Sequence, residues 1–127
     1  MKVILILVFL LATIYETKKE STCKDFKTGK FTLTDKKIEG KYIIERNDSL
    51  QIETDLTTGN TSKYNVKWVN DCDYELRIIE GRDEIMDFYA GKVLTIRIIE
   101  TYKNSYKFEG QLEGLERKST QIIKRIK

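Results

Sequence analysis

From Lys30 onward, apolar and polar residues alternate with a period of two in short segments separated by Asn, Asp, Gly and Ser clusters. That is the pattern of antiparallel strands with one buried and one wet face. Phe31 and Leu33 share a face in the first segment, and Tyr42, Ile43 and Ile44 form a more mixed second one. Leu50, Ile52, Thr54 and Leu56 alternate with Gln51, Glu53 and Asp55. Tyr64, Val66 and Trp68 follow, then Tyr74, Leu76 and Ile78. Leu94, Ile96 and Ile98 form the next phase, then Tyr106 and Phe108, and Ile122 and Ile126 close the chain. The apolar member of each set is expected to face the core, and the acids opposite it, Glu53, Asp55, Glu75 and Glu109, to face solvent.

The connections are short: Asn47-Asp48-Ser49, Thr58-Gly59-Asn60-Thr61, Asn70-Asp71-Cys72-Asp73 and Lys103-Asn104-Ser105. Such spacing favours hairpins over crossovers. Asn47-Asp48-Ser49 and Asn60-Thr61-Ser62 also match the short glycosylation acceptor pattern, but both sit at turns and are assigned to turn chemistry. An all-β antiparallel meander of about eight strands follows. Closing it into a lipocalin-like barrel removes the exposed edges; the alternative is a two-sheet β-sandwich. The absence of proline fits either. One stretch does not alternate. Residues 83–90, with Asp83 as N-cap and Ile85, Met86, Phe88 and Tyr89 apolar, predict a short helix or ordered loop. Arg-Ile-Ile-Glu recurs at Arg77 and Arg97, in dissimilar surroundings, as two strands of like composition.

The N-terminus changes the picture of where the chain works. Residues 1–14 place Lys2 before an apolar run from Val3 to Ile14, interrupted only by Thr13, the layout of a secretory signal. The run is shorter than the roughly twenty residues of a membrane span. We therefore expect residues 1–22 to be a signal peptide or N-terminal anchor and residues 23–127 to be one β domain, exported to the periplasm or envelope, monomeric and without a membrane span. The position of cleavage is open, as is lipidation of Cys23, though Thr17 to Thr22 separate Cys23 from the apolar run. Two cysteines in an exported chain are most simply a Cys23–Cys72 disulfide. Closing a loop of about 50 residues removes on the order of 4 kcal/mol of unfolded-chain entropy.

Charge and residue types then exclude much chemistry. Residues 1–22 hold three bases and two acids, so 23 bases and 20 acids become 20 and 18. A nearly neutral domain lacks the field that a nucleic-acid partner demands. There is no histidine, hence no Ser-His-Asp or Cys-His arrangement, and there is no glycine-rich phosphate loop. No metal site or cofactor is expected. Tyr42, Tyr64, Trp68, Tyr106 and Phe108 either line a ligand pocket, with Ile85, Met86, Phe88 and Tyr89 as its lid, or fill the interior of a small barrel.

Two motifs carry a resemblance. Cys23-Lys24-Asp25-Phe26-Lys27-Thr28-Gly29-Lys30-Phe31 has the form C-x-D-F-x-x-G-x-F. The stretch from Tyr64 to Leu76 has the form Y-x-V-x-W-x-x-x-C-x-Y-x-L. In these the chain resembles a group of small exported proteins of Bacteroidetes-type bacteria. Some of that group carry a topoisomerase label, which the length and near neutrality of this chain contradict. The resemblance implies export and no particular activity. The functional expectation is a non-catalytic envelope binding module for a small apolar ligand or a partner protein. The alternatives are an inert structural or stress-related envelope component, or a carboxylate-based enzyme with two acids converging in a cleft.

Overall fold

The computed structural model describes residues 21–34 and 41–127. The apolar run of residues 1–14 lies outside the described residues. A 3-10 helix, Cys23–Phe26, precedes eight strands: β1 (Gly29–Thr34), β2 (Lys41–Arg46), β3 (Leu50–Asp55), β4 (Thr61–Trp68), β5 (Asp73–Glu80), β6 (Leu94–Thr101), β7 (Ser105–Leu112) and β8 (Lys118–Arg125). A seven-residue helix, α1 (Asp83–Tyr89), joins β5 to β6. Each strand pairs antiparallel with the next, and β8 returns to β1 through Phe31↔Arg125, Thr32↔Lys124 and Leu33↔Ile123. The sheet is thus a closed barrel in meander order, and the sandwich alternative is set aside. Among the described residues no helix is long and apolar enough to cross a membrane.

The hairpins are built by the expected turn residues. Asn47 Oδ1 accepts hydrogen bonds from the Ser49 and Leu50 amides, and Asn70 Oδ1 does the same for Cys72 and Asp73. These Asx turns fix register. Where turn and hydrophobic pattern conflict, the turn prevails. The Asn47 turn sets Arg46 opposite Gln51 and Ile44 opposite Glu53, which sends Gln51 and Glu53 inward and Leu50 and Ile52 outward. The expected phase of β3 is therefore inverted, and Glu53 is not a solvated acid. The last strand is corrected in the same way. Ile123, opposite Tyr106 and Leu33, is the buried residue, while Ile122 and Ile126 are about half exposed. Gln121-Ile122-Ile123 offers two possible phases, and a slip of one residue exchanges the faces.

The N-cap of α1 is Arg82, with Asp83 and Glu84 in the first turn, where their charges favour the helix dipole. The expected cap, Asp83, is thus the first helical residue, one position inside the observed cap. The helix stops at Ala90 and Gly91, the latter at φ 72°, a left-handed conformation that glycine adopts without steric cost.

The core concentrates at one end. Phe26, Phe31, Tyr106 and Ile123 are fully buried. Cys23 and Cys72 form a disulfide across 49 residues, tying the 3-10 helix to the β4–β5 turn so that Phe26 seals this end. Its ring packs against Tyr106 at 5.1 Å and Phe31 at 6.5 Å. The Arg125 guanidinium lies 5.4 Å from the Phe26 ring and 5.0 Å from the Phe31 ring, and it donates to the carbonyls of Thr28 and Asp25. A Cβ on Gly29 would collide with this guanidinium, so glycine here makes room for the latch.

Candidate functional site

Above the sealed end the barrel encloses a cavity of about 340 Å³, at the small end of the range typical of ligand pockets. Its floor is organised by Arg46, which is 4% exposed. Arg46 Nε donates to Gln51 Oε1 at 2.8 Å, Nη1 to the Phe26 carbonyl at 2.7 Å, and Nη2 to the hydroxyls of Tyr74 at 3.0 Å and Tyr106 at 2.7 Å. The guanidinium also sits 4.7 Å from the Tyr74 ring and 5.0 Å from the Phe31 ring, a favourable contact between a cation and aromatic faces. Burial works against the charge, but the phenol oxygens of Tyr74 and Tyr106 and the Glu53 carboxylate favour it more, and the pKa lies above the ordinary guanidinium value. Arg46 is thus a permanent buried cation.

Its partners matter as much as its charge. Both hydroxyls accept from Arg46, and they lie 2.9 Å apart, so one donates to the other. Gln51 Oε1 is occupied by Arg46 Nε, which leaves the Gln51 amide hydrogens as donors. Among the described residues no carboxylate lies within ion-pair distance of Arg46; the ion pairs there, such as Lys63–Glu80 and Arg97–Asp73, involve solvent-accessible side chains.

The wall combines apolar residues from five strands, Ile44, Leu76, Leu94, Ile96, Phe108 and Ile123, with a polar set of Tyr42, Glu53, Ser62 and Tyr64. Glu53 is the sole carboxylate among the described residues lining the cavity. Burial pushes its pKa above the usual carboxylate value, while the Tyr64 hydroxyl and the Arg46 charge pull the other way without prevailing. Burial and the neighbouring Glu53 and Tyr89 in turn raise the Tyr64 phenol.

The far end is covered by α1. Ile85 and Tyr89 reach the cavity, and the Tyr89 ring meets Tyr64 edge-on at 6.1 Å. A second cleft of about 250 Å³ runs between α1 and the β7–β8 hairpin, and it shares Tyr89, Leu94, Gly110 and Ser119 with the cavity. Through these shared residues the cleft adjoins the cavity, and we refer to it as the side opening. Phe88 and Leu115, each about half exposed, flank it together with Arg117 and Lys118, and the Lys92 ammonium lies 5.4 Å over the Phe88 ring.

The residues singled out from the sequence divide between the two ends. Tyr42, Tyr64 and Phe108 line the cavity, as do Ile85 and Tyr89 of the lid. Trp68 and Tyr106 belong to the sealed end. Tyr106 has no exposed surface, and Trp68 stacks on Tyr74 at 4.4 Å beneath the Lys27 ammonium. The Trp68 indole nitrogen is buried with no hydrogen-bond partner among the described residues. Phe88 borders the side opening rather than the cavity, and Met86 is half-buried on α1. Sequence reasoning missed Arg46, Gln51 and Glu53, the residues that together with Tyr74 give the cavity its polarity. The one available signal was Arg46-Asn47-Asp48-Ser49, whose tight turn dictates the facing of Gln51. Among the described residues no three His, Cys, Asp or Glu side chains converge as a metal site would need. Comparison with protein-family models, curated proteins and solved structures finds no match for this chain.

Proposed function

We propose that this protein is a non-catalytic binding module that holds a small, largely apolar molecule inside its barrel. The observation that carries the reading is the cavity itself, bounded by a disulfide-fastened floor and by a short helix over the mouth. A barrel built only as a scaffold or a docking surface fills its interior with side chains; this one leaves room while spending buried polar groups on the lining. Carboxylate catalysis of the two-acid kind calls for a second acid, and Glu53 has none beside it on the lining. The Cys23–Cys72 bridge fits an oxidising compartment outside the cytoplasm, and the resemblance to small exported proteins points to the envelope.

Native mass spectrometry of the oxidised protein purified from its own source tests this reading. An added mass that leaves on denaturation is the expected result. A bare protein that also takes up no short-chain alcohol or acid in titration would overturn it.

A further inference from the structure

We infer that the cavity takes a small monocarboxylate, with the carboxylate seated on the floor at Arg46, Tyr74 and Gln51 and the apolar body running toward α1. This deepens the binding-module reading and rests on it.

The argument begins with charge. A buried cation ordinarily has a counter-ion, yet Arg46 is met only by neutral acceptors. Glu53 lines the same cavity but makes no ion pair with Arg46 and acts on it only from a distance. The cation is therefore left without a direct counter-ion.

Hydrogen-bond bookkeeping leads to the same place. Four of the five guanidinium donors are used. Both tyrosine hydroxyls accept from Arg46, and one spends its proton on the other, so a single phenolic proton remains. Tyr106 has no exposed surface, whereas Tyr74 faces the cavity, as does Gln51, whose amide nitrogen is a donor. The floor thus presents a positive charge, the fifth guanidinium donor and the remaining phenolic proton, and each of its oxygens already accepts from Arg46. The complementary group is an anion with two acceptor oxygens. Above it, Ile44, Leu76, Leu94 and Ile96 offer an apolar path to the side opening. Arg117, Lys118 and Lys92 stand at that opening and would steer an anion inward.

The test titrates the full, disulfide-intact chain at neutral pH with sodium octanoate, 1-octanol and octylammonium, three probes with one tail and different heads. Calorimetry gives the affinities. Trp68, the chain's one tryptophan, lies 6.0 Å from the Arg46 guanidinium and reports by fluorescence. Octanoate should bind at least about tenfold tighter than octanol, as a hydrogen bond to a charged group implies.

Arg46 also holds the floor together, so the informative variant is Gln51→Glu. It is nearly isosteric and supplies Arg46 with an internal counter-ion; octanoate affinity should then fall to that of octanol. Equal binding of octanoate and octanol by the unmodified protein, or an octanoate preference that survives Gln51→Glu, would overturn the inference and leave the binding module standing. Preference for octylammonium would also overturn it, moving the head group to Glu53. Uptake of none of the three would remove the binding module as well.

Discussion

The two ends of the barrel are made of different material. At the sealed end, Phe26, Phe31 and Tyr106 are packed ring on ring, a disulfide ties down the capping helix, and two arginines are held against aromatic faces and backbone carbonyls. At the covered end, α1 is seven residues long and has no buried residue, and Phe88 and Leu115 stand half in solvent. Cross-links, dense packing and satisfied donors raise the free energy of local opening; short, exposed elements lower it. Stability and access are thus assigned to opposite ends, with the cavity between them.

The sharpest way to break this contrast is to remove the bridge. Replacing both Cys23 and Cys72 by Ser frees a 49-residue loop and should cost about 4 kcal/mol. For a domain of this size that lowers the melting temperature by more than about 15 °C. Thermal unfolding followed by circular dichroism checks it. An unchanged midpoint would mean that Phe26 and Arg125 hold the floor without the cross-link.

The contrast also explains what the sequence made legible. Eight strands, the meander, the helix after Glu80 and the cysteine pair follow from alternation, turn residues and cysteine count, because each is a local or compositional signal. The interior of β3 was not legible that way. Leu50 and Ile52 alternate as a core face should, yet the Asn47 turn places Gln51 and Glu53 inside. A barrel with a polar cavity inverts the usual rule on the strands that serve it. Trp68 and Tyr106 share with Tyr64 an aromatic ring on the inward phase of the strand. Alternation gives the face of a strand, but height along the barrel decides between floor and cavity, and height depends on strand stagger that no single segment encodes.

Glu53 supplies a smaller and pH-dependent effect. Its folded pKa lies above the ordinary value of 4.5 because burial disfavours the carboxylate. The folded state then holds the proton more tightly than the unfolded chain does. Stability falls as pH rises from about 4.5 through the raised value, and the deficit persists above it. Glu53→Gln has no such deficit. It should be more stable than the unmodified protein at pH 7.5, by on the order of 1 kcal/mol, the scale of an incompletely compensated buried polar group. The advantage should shrink toward zero below pH 4. Paired urea titrations at the two pH values measure it, and an advantage that grows on acidification would show that Glu53 is stabilised as the anion.

The smallest effect on stability, and the most direct probe of the covered end, concerns Phe88. Half of its surface is exposed, so Phe88→Ser should change unfolding free energy by no more than about 0.5 kcal/mol. Its ring nevertheless stands edge-on to Tyr89 at 4.9 Å with the Lys92 ammonium over it, and Tyr89 is the residue of α1 that meets Tyr64 across the mouth. Loosening Phe88 should therefore free Tyr89 and speed the release of a bound probe while leaving the melting temperature in place. Stopped-flow displacement of octanol or octanoate, read through Trp68, separates the two quantities. Faster release at constant stability would place the gate at α1. A fall in melting temperature comparable with loss of the bridge would mean that α1 belongs to the folding core, and the division of labour between the two ends would fail.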